Sequence, residues 1–468
     1  MTMVSNPTSR LVLPQSVDAE RGGGRFPLGL VSVIALSLAY GYRQVSSGAA
    51  LGHDEAVYAL RAVADPRIPS PSYWADYRAP GLPASLLGLS SDAGLRWGVV
   101  MWGVAGTLLV WLIANHVAGP RAGFLAGGLV AVTPLWSTAA ARIWPDVPGA
   151  TMCLAVLGVA MAATTGGAVR WWLLGTALLG AGATWVRYGS PLVLAAMAVP
   201  FVWWRWPAIR TGVRTVAATA ALMLTLTAIL LLTTAVSNTV APALAIARQG
   251  TTGADLGDLT GPIEFVYALD DHLRIGLVLL AGTSLAIRAS RTERRFIMFM
   301  FGSAVLAFLA IGVSVHAEPR YMAPVVPLLA LSAAVGVAAT ARRLPSWGFA
   351  ILTLALLGWC GWPTEGPMLR EHQGDGIRAA LADFEFPLDC LIATGSVPQV
   401  EWYSGCPAVR FGDNPTVADD AEFVLSLVGG KNQPADLEAV LRGWGSVVAV
   451  GGHLDPATRL AALWERAD

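Results

Sequence analysis

The sequence predicts a mainly α protein: a polytopic bundle of transmembrane helices followed by a small α/β domain. Three observations carry that fold class. Hydrophobic residues fill 55% of 468 positions, charged residues only 13%, and the mean hydropathy is +0.57, values of an integral membrane protein. Apolar runs near the length of a bilayer crossing, about 20 residues, recur up to about residue 363. Beyond that point they stop, and the mixed polar remainder is long enough for one small domain. The formal net charge of +0 offers no footprint for nucleic acid.

Residues 1–25 are polar and Gly-rich, a flexible N-terminal segment. The first apolar run, 26–44, lacks a small-residue cleavage site and reads as a retained span. After an outer loop at 45–94, further runs lie at 95–115, 122–139, 148–166, 171–186, 189–204, 214–236, 273–289, 296–315, 321–341 and 346–362. That makes about eleven spans in a transmembrane domain at 26–363. Trp185 to Ser190 reads either as a full loop or as a tight re-entrant corner.

Orientation follows from the arginines. Arg121, Arg170, Arg205, Arg210, Arg214, Arg288, Arg291, Arg294, Arg295, Arg342 and Arg343 fall in alternate short loops, which places those loops and the N-terminus in the cytoplasm. The other side receives Asp54, the turn with Arg142 and Asp146, the loop with Asp255, Asp258, Asp270 and Asp271, and the turn from His316 to Arg320. An odd span count puts residues 364–468 on that outer side of a plasma (inner) membrane. Trp171, Trp172, Trp203, Trp204, Trp206, Trp347, Trp359 and Trp362 sit at span ends, as an interfacial aromatic belt does.

Within 364–468, helices are expected at Gly376–Asp383, Pro398–Tyr403 and Asp436–Arg442, strands at Cys390–Thr394 and Ser446–Val450, and mixed structure at Ala421–Leu427. Cys390 and Cys406 share this outer domain, either as a disulfide or as two small buried residues. Cys153 and Cys360 fall within spans and read as packing residues. No CxxC or HExxH occurs, so no metal site has a motif behind it.

Four charged constellations mark the outer side. In Gly52-His53-Asp54-Glu55-Ala56-Val57-Tyr58, helical spacing puts Asp54, Tyr58 and Arg61 on one face and turns Glu55 about 100° away. One carboxylate can then serve chemistry while its neighbour does something else. The segment from Tyr73 to Pro83 ends in a corner held by Pro80 and Pro83; it reads as an interfacial amphipathic segment or as a mount for Arg78 to anchor a phosphate. Asp146, in Arg142-Ile143-Trp144-Pro145-Asp146, is a helix cap or a functional acid. Arg320, ahead of Pro324 and Pro327, is a snorkelling end cap or a site residue.

The order of these motifs resembles the GT-C membrane glycosyltransferases, in particular the branch of protein mannosyltransferases and lipid A aminoarabinose transferases (glycosyltransferase family 39). The resemblance spans roughly 26–345 and rests on Asp54, Glu55 and Tyr58, on Arg78-Ala79-Pro80-Gly81-Leu82-Pro83 where the family has Lys-Pro-Pro-Leu, on Arg142 with Asp146, and on Arg320-Tyr321 with Pro324 and Pro327. It implies transfer of a sugar from a polyprenyl phosphate to an acceptor hydroxyl on the outer face. By position, it implies Asp54 as general base, Glu55 and Asp146 completing a catalytic set that shapes the site, and Arg78, Arg320, Tyr321 and His316 around the donor phosphate. Tyr58, Arg142, Arg187 and Tyr188 would contact substrate. Arginine in place of the family's lysine keeps the charge but changes its geometry.

A polyprenyl phosphate is already a good leaving group, so such a site needs a base and cations rather than a strong acid. Direct displacement would invert the anomeric centre. The implied partners are a polyprenyl-phosphate sugar, an envelope glycan, lipid or protein acceptor, and the bilayer. No cofactor is required, with a divalent cation left open. Two other classes compete: a flippase of polyprenyl-linked sugar or other transporter, and a non-catalytic envelope scaffold. Against transport, the charges gather at one face and no internal repeat is visible.

Overall fold

The structure, a computed structural model, describes residues 25–63, 78–163, 169–210, 213–234, 275–286, 289–313, 318–361, 372–382, 384–387, 389–410, 421–427, 441, 445–451 and 461–466. The expectations for the N-terminal segment, the Asp255–Asp271 loop, Arg288, His316, Trp362 and most of Asp436–Arg442 lie outside these residues.

Each expected span has a helix at its place. In chain order the helices are α1 Arg25–Val45, α2 His53–Val63, α3 Gly81–Ser85, α4 Asp92–Ala118, α5 Pro120–Val132, α6 Pro134–Ala140, α7 Asp146–Ala163, α8 Val169–Val186, α9 Ser190–Ile209, α10 Val213–Thr234, α11 Ile275–Ser284, α12 Arg291–Gly312, α13 Val325–Thr340 and α14 Ser346–Gly361. Among the described residues, 6 helices are long and apolar enough to cross a membrane, or 7 if the bent pair α5 and α6 counts as one span. The protein is thus a multi-pass membrane protein, and some of its helices depart from the apolar runs in length or line.

The differences have local causes. The run at 122–139 is not one straight helix: α5 and α6 meet at 67°. Pro134 there lacks the N–H that would continue the helix, and it drives Thr133 into extended geometry (ψ 121). The run at 321–341 starts later, because Pro319–Met322 forms a 3-10 turn and α13 begins after Pro324. Between α8 and α9 only the turn at 187–189 intervenes, so the tight corner is the observed form.

The tryptophans divide by environment. Trp171, Trp172, Trp203, Trp206, Trp347 and Trp359 are exposed at helix ends, as the belt requires. Trp204 is not part of it: the ring is buried, stacked on Phe299 at 5.1 Å and edge-on to Phe296 at 5.5 Å. The arginine-bearing ends of several helices converge. Arg121, at the start of α5, donates to the Ala341 carbonyl (3.2 Å) and lies over Phe349, while Arg342 pairs with Glu293 near the start of α12. The carboxylate-bearing turns occupy the opposite ends of these same helices.

The C-terminal unit adds α15 His372–Leu381 and α16 Val397–Ser404 to five strands: β1 Ile392–Thr394, β2 Ala408–Arg410, β3 Phe423–Leu427, β4 Gly445–Gly451 and β5 Ala461–Arg466. The sheet order is β2-β1-β3-β5-β4, with β2, β1 and β3 parallel and β5 antiparallel to both of its neighbours. Along β3, Phe423, Leu425 and Leu427 pack into one core and Val424 into another, the period-2 alternation of a sheet covered on both faces. Helix α16 links parallel β1 to β2, and Cys390, ahead of β1, forms a disulfide with Cys406, just after α16, with Cα atoms 5.6 Å apart. Of the two readings of this pair, the disulfide is the one observed. Ala421–Leu427 resolves into a strand, and β2 and β5 are additional to the sequence reading.

Candidate active site

Helix α2 is the centre of the site. Gly52 caps it from outside, and Glu55, three residues on, returns Oε2 to the Gly52 N–H at 3.0 Å, the carboxylate half of a capping box. Asp54 and Glu55 in this first turn also complement the positive end of the helix dipole. Their side chains then part, as the 100° offset requires.

Glu55 points inward. It is 1% exposed; Oε1 accepts from Arg96 Nε and the Ile143 N–H, both at 3.1 Å, and Oε2 accepts from Arg96 Nη2 at 3.0 Å and Arg142 Nη1 at 3.4 Å. Burial alone would raise this carboxyl; Arg96 and then Arg142 outweigh it and hold the group below its ordinary range. Both oxygens are committed to a buried cluster that joins α2, α4 and the turn after α6. Glu55 is thus turned away from Asp54, and Arg142 is bonded to it in this cluster. Arg96 was missed, although an arginine just inside an apolar run is itself a signal for a buried partner.

Asp54 points the other way. Oδ1 accepts from Arg78 Nη2 and Oδ2 from Arg320 Nη2, so two loops remote in sequence close on one carboxylate. Burial pushes the Asp54 carboxyl up, but the Arg320 and then the Arg78 guanidinium prevail and bring it down to about 2. Arg78 and Arg320 gain in turn: burial disfavours each cation, and Asp54 more than compensates. Beside them, burial lowers the pKa of His53. Burial is also the main cause of a raised Tyr58 hydroxyl.

A second pair completes the cluster. Arg187 Nε donates to Asp146 Oδ1 at 2.9 Å, and its Nη2 reaches the Tyr321 carbonyl at 3.4 Å. Arg320 also pairs with Glu318 at 2.6 Å and lies over the rings of Trp144 (4.7 Å) and Tyr321 (5.2 Å). Arg187 faces the Tyr321 ring from 5.9 Å, and Arg78 the Tyr58 ring from 6.0 Å. Three guanidiniums thus face three carboxylates across an aromatic frame. Among the described residues, Arg187 Nη1 and Arg320 Nε are buried with no hydrogen-bond partner. Two strong donors are left for a further anion.

The proline corner fixes Arg78. Its carbonyl accepts from Arg61 Nη1 at 2.7 Å, and Gly81 lies against the backbone of Trp185, where an added Cβ would meet the carbonyl at 2.9 Å. Only glycine allows that approach, which ties the Arg78 loop to the end of α8 that leads into Arg187. Tyr188 is half-buried in the same turn. Structure therefore gathers Asp54, Tyr58, Arg78, Asp146, Arg187, Arg320 and Tyr321, and adds Trp144, Glu318 and His53. Among the described residues, no group of three or more His, Cys, Asp or Glu side chains is placed to hold a metal ion.

The profile of the dolichyl-phosphate-mannose-protein mannosyltransferase family matches residues 82–237. No curated protein sequence matches the chain. Among solved structures, the fold is similar to ArnT from Cupriavidus metallidurans bound to undecaprenyl phosphate, with TM-score 0.63 and 16% identity over 92% of this chain and 97% of that one. The apo state of the same ArnT gives 0.59, again at 16% identity and covering 92% and 97% of the two chains. It is also similar to the oligosaccharyltransferase AglB from Archaeoglobus fulgidus in complex with an inhibitory peptide and a dolichol-phosphate, with TM-score 0.56 and 12% identity over 93% and 74% of the two chains. The fold is that of the GT-C glycosyltransferases.

Proposed function

We propose that this protein is an integral membrane glycosyltransferase that moves a sugar from a polyprenyl-phosphate donor to an acceptor hydroxyl on the extracytoplasmic face of the plasma (inner) membrane. The observation that carries the reading is the convergence of Arg78 and Arg320 on Asp54, with unpartnered donors on Arg187 and Arg320 beside it. Such an array suits one phosphate and one base. ArnT has been solved with undecaprenyl phosphate and AglB with a dolichol-phosphate, which supports a polyprenyl phosphate as the lipid part of the donor.

In the reaction proposed, the donor phosphate takes the guanidiniums of Arg78 and Arg320, with Arg187 alongside. Asp54, freed from them, accepts the proton of the acceptor hydroxyl. The acceptor oxygen attacks the anomeric carbon as the bond from that carbon to the phosphate oxygen breaks, and polyprenyl phosphate leaves with the electron pair. No covalent enzyme intermediate forms, so the anomeric centre inverts. The three arginines neutralise the leaving group, so no divalent cation is assigned a role. The acceptor is an envelope glycan, lipid or protein.

The test compares membranes carrying wild-type protein or Asp54→Asn, supplied with radiolabelled polyprenyl-phosphate hexose or pentose and an envelope extract. Transfer by wild type that falls at least about a hundredfold in the variant supports the reading. Movement of intact lipid-linked sugar across the membrane without transfer assigns a flippase instead, and neither outcome leaves a scaffold.

A further inference from the structure

We infer that the outer domain is a positioning device for the catalytic carboxylate, and that Tyr403 and Asp375 are the residues through which it acts; the inference rests on the glycosyl-transfer reading of the Asp54 site. Two carbonyls and two amides of the short segment before α2 are held by side chains from outside that segment. Arg96 holds the carbonyls of Ala49 (2.6 Å) and Ala50 (3.1 Å) from the membrane side. The amides are held from the outer domain: Ala50 N–H donates to Asp375 Oδ1 at 2.8 Å, and Leu51 N–H to Tyr403 Oη at 2.6 Å. Gly52 N–H then turns back to Glu55, and Asp54 follows two residues later.

Tyr403 does not hang on the segment alone. Its hydroxyl donates onward to Asp92 Oδ2 at 3.0 Å, and the neighbouring Trp402 Nε1 donates to Asp92 Oδ1 at 2.7 Å. Asp92 opens α4, the long helix that also carries Arg96, so α16 bridges the two structures that hold the segment. The rings of Trp402 and Tyr403 pack on the cluster of Leu51, Ala56 and Tyr58 beneath α2. The Cys390–Cys406 disulfide closes a loop that contains β1 and α16, so the bridge is not a free arm. An outer domain that served only to capture acceptor would have no need to hydrogen-bond the backbone leading into Asp54.

Small displacements of a reacting group reduce turnover by up to about a hundredfold while leaving binding intact. Tyr403→Phe keeps the ring and removes only the hydroxyl, and Asp375→Ala removes the second acceptor. Each is expected to lower kcat for sugar transfer by roughly ten- to a hundredfold with KM for the lipid-linked donor unchanged. Asp375→Asn, whose amide oxygen still accepts from Ala50, is expected to restore the rate. Amide hydrogen exchange over residues 49–56 supplies a readout independent of turnover: it should quicken in Tyr403→Phe and Asp375→Ala while the unfolding temperature of the whole protein holds. Wild-type rates in both variants, a parallel loss of kcat and donor affinity, or unchanged exchange at these amides would overturn the inference. Failure of the wild-type protein to transfer any sugar would instead count against the reading in the preceding section, and the exchange measurement would still decide whether the clamp exists.

Discussion

In the resting protein Asp54 occupies both guanidiniums that the proposed reaction assigns to the donor phosphate. Phosphate and carboxylate therefore compete. Asp54→Asn removes the competing charge with almost no change in shape, and the size of the effect can be worked out. A carboxylate about 5 Å from a bound phosphate, at an effective dielectric near 20, costs about 3 kcal/mol per unit of phosphate charge. The Asp54 side chain is 19% exposed and that of Arg78 27%, so water screens part of this. The asparagine amide also keeps one weaker hydrogen bond to the arginines. About half the full figure, near 1.4 kcal/mol, corresponds to tenfold in affinity, and the full figure to somewhat more than a hundredfold.

The expected result is that Asp54→Asn binds undecaprenyl phosphate roughly ten- to a hundredfold more tightly than wild type while losing transfer. Binding is measured in nanodiscs by tryptophan fluorescence at constant ionic strength, with Arg320→Gln as the opposite control, expected to bind more weakly. Tighter binding with lost catalysis separates competition from a general loss of structure, which would weaken both. Equal or weaker binding by Asp54→Asn would mean that the phosphate does not displace the carboxylate from Arg78 and Arg320, and the proposed sequence of events would fail.

Two further expectations come from the buried carboxylates. Glu55→Gln removes the carboxylate that Arg96 holds with two hydrogen bonds, a change that costs about 3–5 kcal/mol in a buried pair; thermal unfolding in detergent should drop by several degrees, and an unchanged midpoint would mean the cluster is not structural. Glu401 is 3% exposed with only the Ala408 N–H, at 3.3 Å, opposing its desolvation, and burial pushes its carboxyl up to about 7 from an ordinary 4.5. The folded state then holds a proton that the unfolded chain releases earlier, so the contribution of this group to stability is fully present below pH 4.5 and is lost as pH rises toward 7. Comparing the pH dependence of unfolding in wild type and Glu401→Gln tests this, since the variant should lose that decline.

Bilayer-length apolar runs made the helical class and nearly every helix position readable in advance, because hydrocarbon imposes a length and a composition on any segment that crosses it. Arginine placement likewise sorted the loops into two sets, and of the first set Arg121 meets Ala341, next to Arg342, in the described residues. The opposite directions of Asp54 and Glu55 followed from helical period alone. What each carboxylate meets did not. Arg96, Arg78 and Arg320 come from three separate elements, and ion pairing across such distances in sequence leaves no periodic trace.

The C-terminal domain was legible as α/β because alternating hydrophobicity and turn residues are local properties. Its short strand β2 and its terminal strand β5 were not, since a three-residue strand is defined by its neighbours in the sheet. The same division explains the contact from Tyr403 to Leu51. A tyrosine in a soluble helix and a glycine-rich turn after a membrane span carry no mark of each other in the chain. Their pairing exists because the C-terminal domain sits on α2, where the buried amides ahead of that helix need acceptors that water cannot supply.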